Sequence, residues 1–264
     1  MTREGIYPHV DFGNRIVAFF DFLHRRRTPY DDNGHGTHVA GILGGSGRAS
    51  QGKYRGVAPE CGIVSLKVLD QYGNGSKEDV LRAFQWILGH GELYGVRVVN
   101  ISVGASYGAG WEVASLIQGA EQLWDRGYVV VAAAGNQGPR AGSITAPGSS
   151  KKVITVGASD LLDGKSGVSG RGPTWECVCK PDIVTPGGGI VSCVPGPGNG
   201  YGVKSGTSMS TPVISGAVAC ALEKDGSLTN KEIKMRLKES ARDLGLPKNL
   251  QGWGLFDLNR FLSL

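Results

Sequence analysis

Residues 128–134 form an almost entirely apolar run, Tyr-Val-Val-Val-Ala-Ala-Ala, without the alternation of a strand that has one face in water. Such a run fits a strand covered on both faces, as in a parallel sheet between two layers of helices. Other apolar runs of strand length occupy residues 16–20, 63–69, 96–102 and 153–158. Helical patterns lie between several of these runs, and the alternation predicts βαβ units with right-handed crossovers.

Two capping boxes mark the starts of helices. Ser76–Asp79 precedes apolar residues that recur at helical spacing as far as Ile87, and Thr229–Glu232 opens a helix that we expect to reach Ser240. A third helix is indicated by an amphipathic stripe over residues 113–124. No repeat or linker interrupts the pattern. We therefore predict one domain over residues 1–264, of the α/β class, built as a three-layer αβα sandwich with a mostly parallel central sheet.

The composition excludes several classes of protein. The 264 residues are 40% hydrophobic and 19% charged, as in ordinary soluble globular proteins. The net charge of +5 comes from scattered basic residues with one cluster at Arg25–Arg27, so we expect no nucleic-acid partner. No apolar stretch reaches the roughly 18 residues of a membrane span, and the N-terminus lacks a signal-peptide pattern. Five cysteines without disulfide or zinc spacing predict free, buried thiols and a cytoplasmic location.

Residues 206–212 read Gly-Thr-Ser-Met-Ser-Thr-Pro, and small and apolar residues follow them to Leu222. Ser208 therefore lies where a glycine-rich loop becomes an apolar helix. Backbone N–H groups at a helix N-terminus attract an anion, which suits a nucleophile whose reaction builds up negative charge. A serine at this position also serves as an ordinary helix cap, so both interpretations stay open.

Ser106 is a rival nucleophile, because it lies in the G-x-S-x-G pattern of a nucleophile elbow directly after a predicted strand. That arrangement requires a histidine later in the chain. The last histidine is His90, so Ser106 is excluded. His35, between two glycines at the entrance to a helix, is either a general base or a structural residue, and His38 is expected to pack inside the helix. The two histidines lack a third ligand for a metal.

Asn136 follows the apolar run that ends at Ala134, so its amide either donates to an oxyanion or shapes a turn. With the residues around His35 and Ser208, this segment resembles the subtilase (subtilisin-like) serine peptidases. The resemblance rests on the segments His35–Gly41, Gly206–Pro212 and Ala133–Asn136, and on Asn100–Gly104, which is similar to the family's substrate-pairing strand. It extends over nearly the whole chain, to Gly254, and implies a subtilisin-like fold.

The resemblance implies a serine endopeptidase that acts on polypeptide substrates. It makes His35 the general base, Ser208 the nucleophile and Asn136, together with the Ser208 backbone N–H, the oxyanion donor. It also implies two walls of a specificity pocket, formed by Ser102, Val103 and Gly104 and by Ala133, Ala134 and Gly135. Because the residues of both walls are small, we predict broad specificity that favours medium or large apolar P1 residues. The chemistry needs no cofactor, and calcium binding and oligomeric state stay undecided.

The catalytic aspartate of the family is missing from the pattern. Gly5–Phe12 matches the part that follows the aspartate motif, which places the aspartate at Arg3 and the next motif position at Glu4. The strand that should precede the motif is absent from the sequence. No other nearby carboxylate is expected to replace it: Asp21 ends an apolar run but lacks the turn of the motif, and Asp31 and Asp32 are expected to have local roles in the turn before His35. We expect a subtilase shortened at its N-terminus, without its first central strand and with impaired activity. The alternative is an inactive subtilase-like protein that binds peptides or a partner.

Overall fold

Strands and helices alternate along residues 5–105, 111–162 and 167–264, the residues that this computed structural model describes. The strands are β1 (Ile16–Asp21), β2 (Ile63–Lys67), β3 (Val98–Ile101), β4 (Val129–Ala133), β5 (Ile154–Ala158), β6 (Ile183–Thr185), β7 (Ile190–Cys193) and β8 (Tyr201–Lys204). The helices are α1 (His35–Gly44), α2 (Lys77–His90), α3 (Trp111–Asp125), α4 (Thr207–Lys224), α5 (Asn230–Ser240), α6 (Lys248–Gln251) and α7 (Leu258–Ser263). In this part of the chain, no helix combines the length and the apolar character needed to cross a membrane.

The largest sheet is parallel, with the strand order β3-β4-β5-β6. Every residue of β4 is buried, as the apolar run at residues 128–134 predicted. β1 pairs in parallel with β2, and β7 forms an antiparallel hairpin with β8. These pairings, with helices between the strands, confirm the predicted α/β sandwich with mostly parallel strands.

The central sheet is interrupted between β2 and β3. Within the described residues, β2 pairs only with β1, and β3 pairs only with β4. Helix α2 connects the two strands, which is how parallel strands of one sheet are joined. No described strand lies between β2 and β3, and the N-terminal shortening stays a prediction.

Helix α4 is buried along most of its length, because it packs against β3, β4, β5 and α1. Near its start, Met209 packs with Val39 and Ile42 of α1. Further along, a Cβ atom at Gly216 would lie 2.7 Å from the Val57 Cβ atom and 3.1 Å from the Leu43 carbonyl oxygen, so glycine allows the close approach of this part of α4 to the end of α1. The contacts advance in the same direction along both helices. Helices α1 and α4 therefore run parallel, and their first turns lie at the same edge of the molecule.

Several short elements were not predicted from the sequence: β6, the β7–β8 hairpin, α6 and α7. Each has only three to six residues, too few to show a period. All five cysteines are free, as predicted. The prediction that the thiols are buried is wrong for Cys177 and Cys179, which are exposed and follow the surface turn that the Cys177 N–H closes by donating to the Thr174 carbonyl oxygen.

Candidate active site

Ser208 is the second residue of α4, and its side chain is largely buried. Gly206 caps the helix with a φ of 133°, a conformation that side chains rarely adopt. A Cβ atom at Gly206 would lie 2.9 Å from the Asn136 Nδ2 atom, so glycine lets the Asn136 amide approach the start of α4. The Ser208 N–H belongs to the first turn, whose N–H groups have no carbonyl partner inside the helix. Ser208 and Asn136 thus meet at a helix N-terminus that favours negative charge.

Two hydrogen bonds join Ser208 to the end of β3. Ser208 Oγ donates to the Ser102 carbonyl oxygen at 3.2 Å, and Ser102 Oγ donates to the Ser208 carbonyl oxygen at 3.2 Å. In a regular helix the N–H of residue 212 would donate to that carbonyl, but Pro212 has no N–H. The Ser102 hydroxyl therefore satisfies a carbonyl oxygen that the proline leaves open, and it holds the candidate nucleophile against β3.

The Asn136 carboxamide is fixed at its oxygen end. Its Oδ1 atom accepts from the Thr207 backbone N–H at 3.0 Å and from the Thr207 hydroxyl at 3.2 Å. The Thr207 Oγ1 atom in turn accepts from the Gly135 N–H at 3.1 Å. Because a backbone N–H only donates, these bonds settle which end of the amide is oxygen. The NH₂ group of Asn136 lies beside Gly206, two residues before Ser208.

His35 is the first residue of α1, so the parallel course of α1 and α4 places it at the same edge as Ser208. Asp31 holds this helix start. Its Oδ1 atom accepts from the Gly34 N–H at 2.7 Å, and its Oδ2 atom accepts from the N–H and hydroxyl of Thr37 at 2.8 and 2.6 Å. Both oxygens of Asp31 are used to cap α1, which confirms its predicted local role.

His38 has a structural role, as predicted. It is fully buried, and its Nε2 atom lies 3.0 Å from the carbonyl oxygens of Ile190 and Gly202. Two carbonyl partners require a proton on Nε2, and the bonds tie α1 to the β7–β8 hairpin. Burial lowers the pKa of His38 to about 4, although the two hydrogen bonds oppose this. His38 is therefore neutral near pH 7.

The remaining carboxylates near the site are also bound locally. Asp21, at the end of β1, accepts from the Tyr30 hydroxyl at 2.6 Å. Burial would raise the pKa of Asp21, but this bond and two backbone N–H groups hold it below its usual value. Asp32 accepts from the ammonium group of buried Lys67 at 2.7 Å. Three residues weighed in the sequence analysis lie outside the described residues: Arg3, Glu4 and Ser106.

The two predicted pocket walls converge on Thr145, which the sequence did not single out. A Cβ atom at Gly104 would lie 2.3 Å from the Thr145 Oγ1 atom, and one at Gly135 would lie 2.4 Å from the same atom. Glycine at both positions thus allows the walls to close on this side chain. The other members of the walls are buried: Ser102, Val103, Ala133 and Ala134. The walls lie at the carboxyl ends of β3 and β4, where ligands bind in parallel sheets.

His9, Asp11 and Cys193 form a buried group whose possible metal-binding atoms lie within 4.8 Å of one another. Asp11 accepts from the Tyr201 hydroxyl at 2.7 Å and from the Cys193 thiol at 3.5 Å. Burial and the Asp11 carboxylate raise the pKa of Cys193, so its thiol keeps the proton that a metal would have to displace. The sulfur and nitrogen atoms also do not suit calcium, which prefers oxygen ligands. The group fits a hydrogen-bonded core better than a metal site.

Comparison with known proteins gives the family. The Subtilase family (Peptidase_S8) matches residues 5–254. This chain belongs to the subtilase family. Serine protease AprX of Bacillus subtilis (strain 168) is 39% identical to this subtilase over 264 aligned residues, which cover 90% of the chain but only 59% of AprX. Subtilisin Savinase of Lederbergia lenta is 35% identical over 251 residues, covering 95% of the chain and 85% of that protein.

Solved structures agree with the sequence relatives of this subtilase. Sphericase matches with a TM-score of 0.80 at 28% identity, over 96% of this chain and 88% of that one. A cold adapted subtilisin-like serine proteinase matches with a TM-score of 0.77 at 30% identity, over 97% of this chain and 84% of that one. The family and the subtilisin-like fold that the motifs around His35, Asn136 and Ser208 implied are thus confirmed.

Proposed function

We propose that this subtilase hydrolyses peptide bonds as a serine endopeptidase, with Ser208 as nucleophile, His35 as general base and Asn136 as oxyanion donor. The observation that carries the proposal is the fixed Asn136 amide. Thr207 holds its oxygen, and Gly206 leaves room for its NH₂ group beside the first turn of α4. Relatives named serine protease AprX and subtilisin Savinase support the reaction class.

In the proposed reaction, the Ser208 hydroxyl oxygen attacks the carbonyl carbon of the scissile bond, and its proton passes to His35. Rotation about the Cα–Cβ bond first releases Ser208 Oγ from the Ser102 carbonyl oxygen. The developing oxyanion accepts from the Asn136 amide and the Ser208 N–H. His35 then protonates the leaving amine as the C–N bond breaks. Water, deprotonated by His35, releases the acyl group from Ser208.

A serine protease triad also contains a carboxylate that fixes the tautomer of the histidine and stabilises its charged form. The nearby aspartates weighed for this role are engaged elsewhere: Asp21, Asp31 and Asp32. In serine proteases where the aspartate was changed to asparagine, the rate fell by about 10⁴, and residual catalysis remained without any one triad member. We therefore expect slow hydrolysis from the chain described here.

The proposed substrates are extended polypeptides that pair with residues 102–104 through main-chain hydrogen bonds. The two walls consist of small residues and meet at Thr145, which favours medium or large apolar P1 side chains over charged ones. Peptide libraries digested with a large amount of protein should show this preference. Strict cleavage after acidic residues would contradict it.

A second candidate function is peptide or partner binding without hydrolysis, favoured by the engagement of the three aspartates. A fluorophosphonate probe, which reacts with activated serines, separates the two candidates. We expect labelling of the unmodified chain and none of Ser208→Ala. Ser227→Ala, which changes an exposed serine, is the matched control and should label normally.

Asn136→Asp tests the oxyanion role in the same assay. Aspartate has the size of asparagine and keeps an oxygen for the two Thr207 bonds, but it replaces the donor NH₂ group. We expect labelling to slow by about 10²–10³-fold without a loss of stability. Absence of labelling in the unmodified chain, together with measurable peptide binding, would favour the second candidate.

A further inference from the structure

The loop between β1 and α1 contains three consecutive arginines, Arg25–Arg27, and all three are exposed. Elsewhere in the sequence, at most two lysines or arginines are adjacent. In the part of the chain that the structure describes, none of the three guanidinium groups is paired with a carboxylate, because Tyr30 binds Asp21 and Lys67 binds Asp32. Three adjacent positive charges thus face solvent without a counter-ion among the described residues, and this arrangement attracts an external anion.

Asp21 gives the loop a fixed shape. Its Oδ1 atom accepts from the backbone N–H groups of Leu23 and His24 at 2.9 and 3.0 Å. The Arg25 N–H closes the turn by donating to the Asp21 carbonyl oxygen at 3.0 Å. Arg25 has a φ of 59°, in the left-handed region that usually holds glycine or asparagine after a helical turn. An arginine in this strained position points to a function for its side chain.

The guanidinium of Arg26 is placed by the Tyr30 ring, whose centroid lies 4.9 Å from the Arg26 Cζ atom. Tyr30 is itself fixed, because its hydroxyl donates to Asp21 at 2.6 Å. A guanidinium that lies over a ring keeps the N–H groups at its edge for a carboxylate. Because the ring already holds this side chain, less conformational entropy is lost when an anion binds.

The arginine loop lies at the same edge of the molecule as the candidate active site. β1 and β2 are parallel and end in register, with Asp21 opposite Lys67. The Lys67 ammonium group donates to Asp32 at 2.7 Å, and Asp32 lies three residues before His35. The loop that follows β1 therefore emerges beside the start of α1, at the edge where Ser208 also lies. A polypeptide bound across this edge would pass near the three arginines.

We propose that Arg25, Arg26 and Arg27 form a docking site for a short acidic segment of the polypeptide substrate, at a distance from the scissile bond. Carboxylates suit the site, because a guanidinium binds them through two parallel hydrogen bonds. Nucleic acid suits it less, since the other basic residues are scattered and do not extend the cluster into a stripe. That the acidic segment belongs to the substrate rests on the proposed function, whereas the binding of acidic peptides does not.

Binding is measured with Ser208→Ala of the full chain, so that no peptide is cut. The peptides contain Ala-Ala-Leu-Ala, a six-residue Gly-Ser linker that reaches roughly 20 Å, and Glu-Glu-Glu either before or after the linked segment. Control peptides have glutamine in place of each glutamate. All are labelled with a neutral fluorophore and followed by anisotropy. At 20 mM salt, we expect at least one glutamate peptide to bind about tenfold more tightly than its glutamine control.

Two triple variants remove the same amount of charge from opposite edges of the molecule. Arg25→Gln, Arg26→Gln and Arg27→Gln together should abolish the preference for glutamate. Lys151→Gln, Lys231→Gln and Lys238→Gln together should retain it, because these exposed lysines lie at the start of β5 and on α5. Circular dichroism shows whether each variant is folded. If the arginine variant does not fold, Arg25→Gln with Arg27→Gln replaces it, which keeps Arg26 on Tyr30 and should lose most of the preference.

Salt gives a second measurement on the unmodified site. Raising the salt concentration to 500 mM shortens the Debye length to about 4 Å, so the preference for glutamate should disappear while the binding of the glutamine controls stays the same. Equal affinity for both peptides at 20 mM salt, or a preference that survives the loss of the three arginines, would overturn the proposal. Tighter binding of a thymidine oligonucleotide of equal charge, lost in the arginine variant, would overturn the acidic polypeptide in favour of nucleic acid.

Cleavage by the unmodified chain decides whether the acidic segment belongs to a substrate. We expect kcat/KM for the better glutamate peptide to exceed that of its control by about the same tenfold factor. A preference in binding with equal cleavage of both peptides would overturn the substrate as the source of the segment, in favour of a separate acidic partner. A preference in binding without cleavage of any peptide supports the docking site and counts against the proposed peptidase function.

Discussion

Ser102→Ala tests how the candidate nucleophile is held. The Ser102 hydroxyl donates to the Ser208 carbonyl oxygen at 3.2 Å, because Pro212 has no N–H to donate in its place. Removal of the hydroxyl leaves a buried carbonyl oxygen without this donor, and an unsatisfied buried polar group costs about 1–3 kcal/mol. We expect Ser102→Ala to lower the free energy of unfolding by about 2 kcal/mol.

Pro212→Ala provides the matched background. The new N–H at residue 212 donates to the Ser208 carbonyl oxygen, as in any regular helix, so the Ser102 hydroxyl is no longer needed there. In this background Ser102→Ala should cost about 1 kcal/mol less than in the unmodified chain. The Ser102 Oγ atom also accepts from Asn100 Nδ2 at 3.0 Å, but the loss of that bond is common to both backgrounds and cancels.

Urea unfolding followed by tryptophan fluorescence measures the four proteins of this cycle. The coupling energy is the cost of Ser102→Ala in the unmodified chain minus its cost with Pro212→Ala. Independent sites add to within about 0.3–0.5 kcal/mol, so additive behaviour to that accuracy would refute the idea that Ser102 replaces the missing N–H. Equal m-values in the four proteins show that the changes are in stability and not in the extent of unfolding.

Three further substitutions test buried charges and a helix cap. His38→Gln should reduce the loss of stability on acidification. The pKa of His38 in the folded protein, about 4, lies below its value in the unfolded chain, so His38 contributes about 3 kcal/mol to the free energy of unfolding above pH 6.5 and loses this contribution towards pH 4. An unchanged pH profile of the urea midpoints would contradict this. Asp31→Ala should lower the free energy of unfolding by about 2 kcal/mol, because α1 loses its cap, and Asp31→Asn should lower it less. Equal urea midpoints for the two variants would count against the capping role. Asp182→Asn should cost about 3–5 kcal/mol, because buried Lys180 and partly buried Lys234 lose their shared anion, and an unchanged thermal midpoint would exclude this role.

The large elements of the fold were predictable because their signals lie within their own residues. The apolar run at residues 128–134 predicted buried β4, and Thr229 with Glu232 forms the capping box that starts α5. The β7–β8 hairpin has no such signal. It is held by contacts with distant residues, among them the hydrogen bonds from His38, and no local pattern reports these.

The residues of the candidate site were predictable only where they lie within sequence motifs. Those motifs identified Ser208, His35 and Asn136, but not the residues that position them. Thr207 binds Asn136 across 71 positions of sequence, and Thr145 meets two glycines from separate strands only after folding. Contacts of this kind depend on the packed structure, so a single sequence does not display them.

The apolar core continues across the interruption of the sheet. Its largest cluster contains Leu66 of β2 together with residues of β3–β6, and a smaller cluster with Ile6, Phe12 and Phe19 lies beside β1 and α1. Regions with few connections to the rest of a protein open at a lower free energy than its core. Native-state hydrogen exchange should therefore show that the backbone amides of Ile6 and Phe12, which donate to the carbonyl oxygens of Tyr30 and His9, open at a lower free energy than the amides of β4.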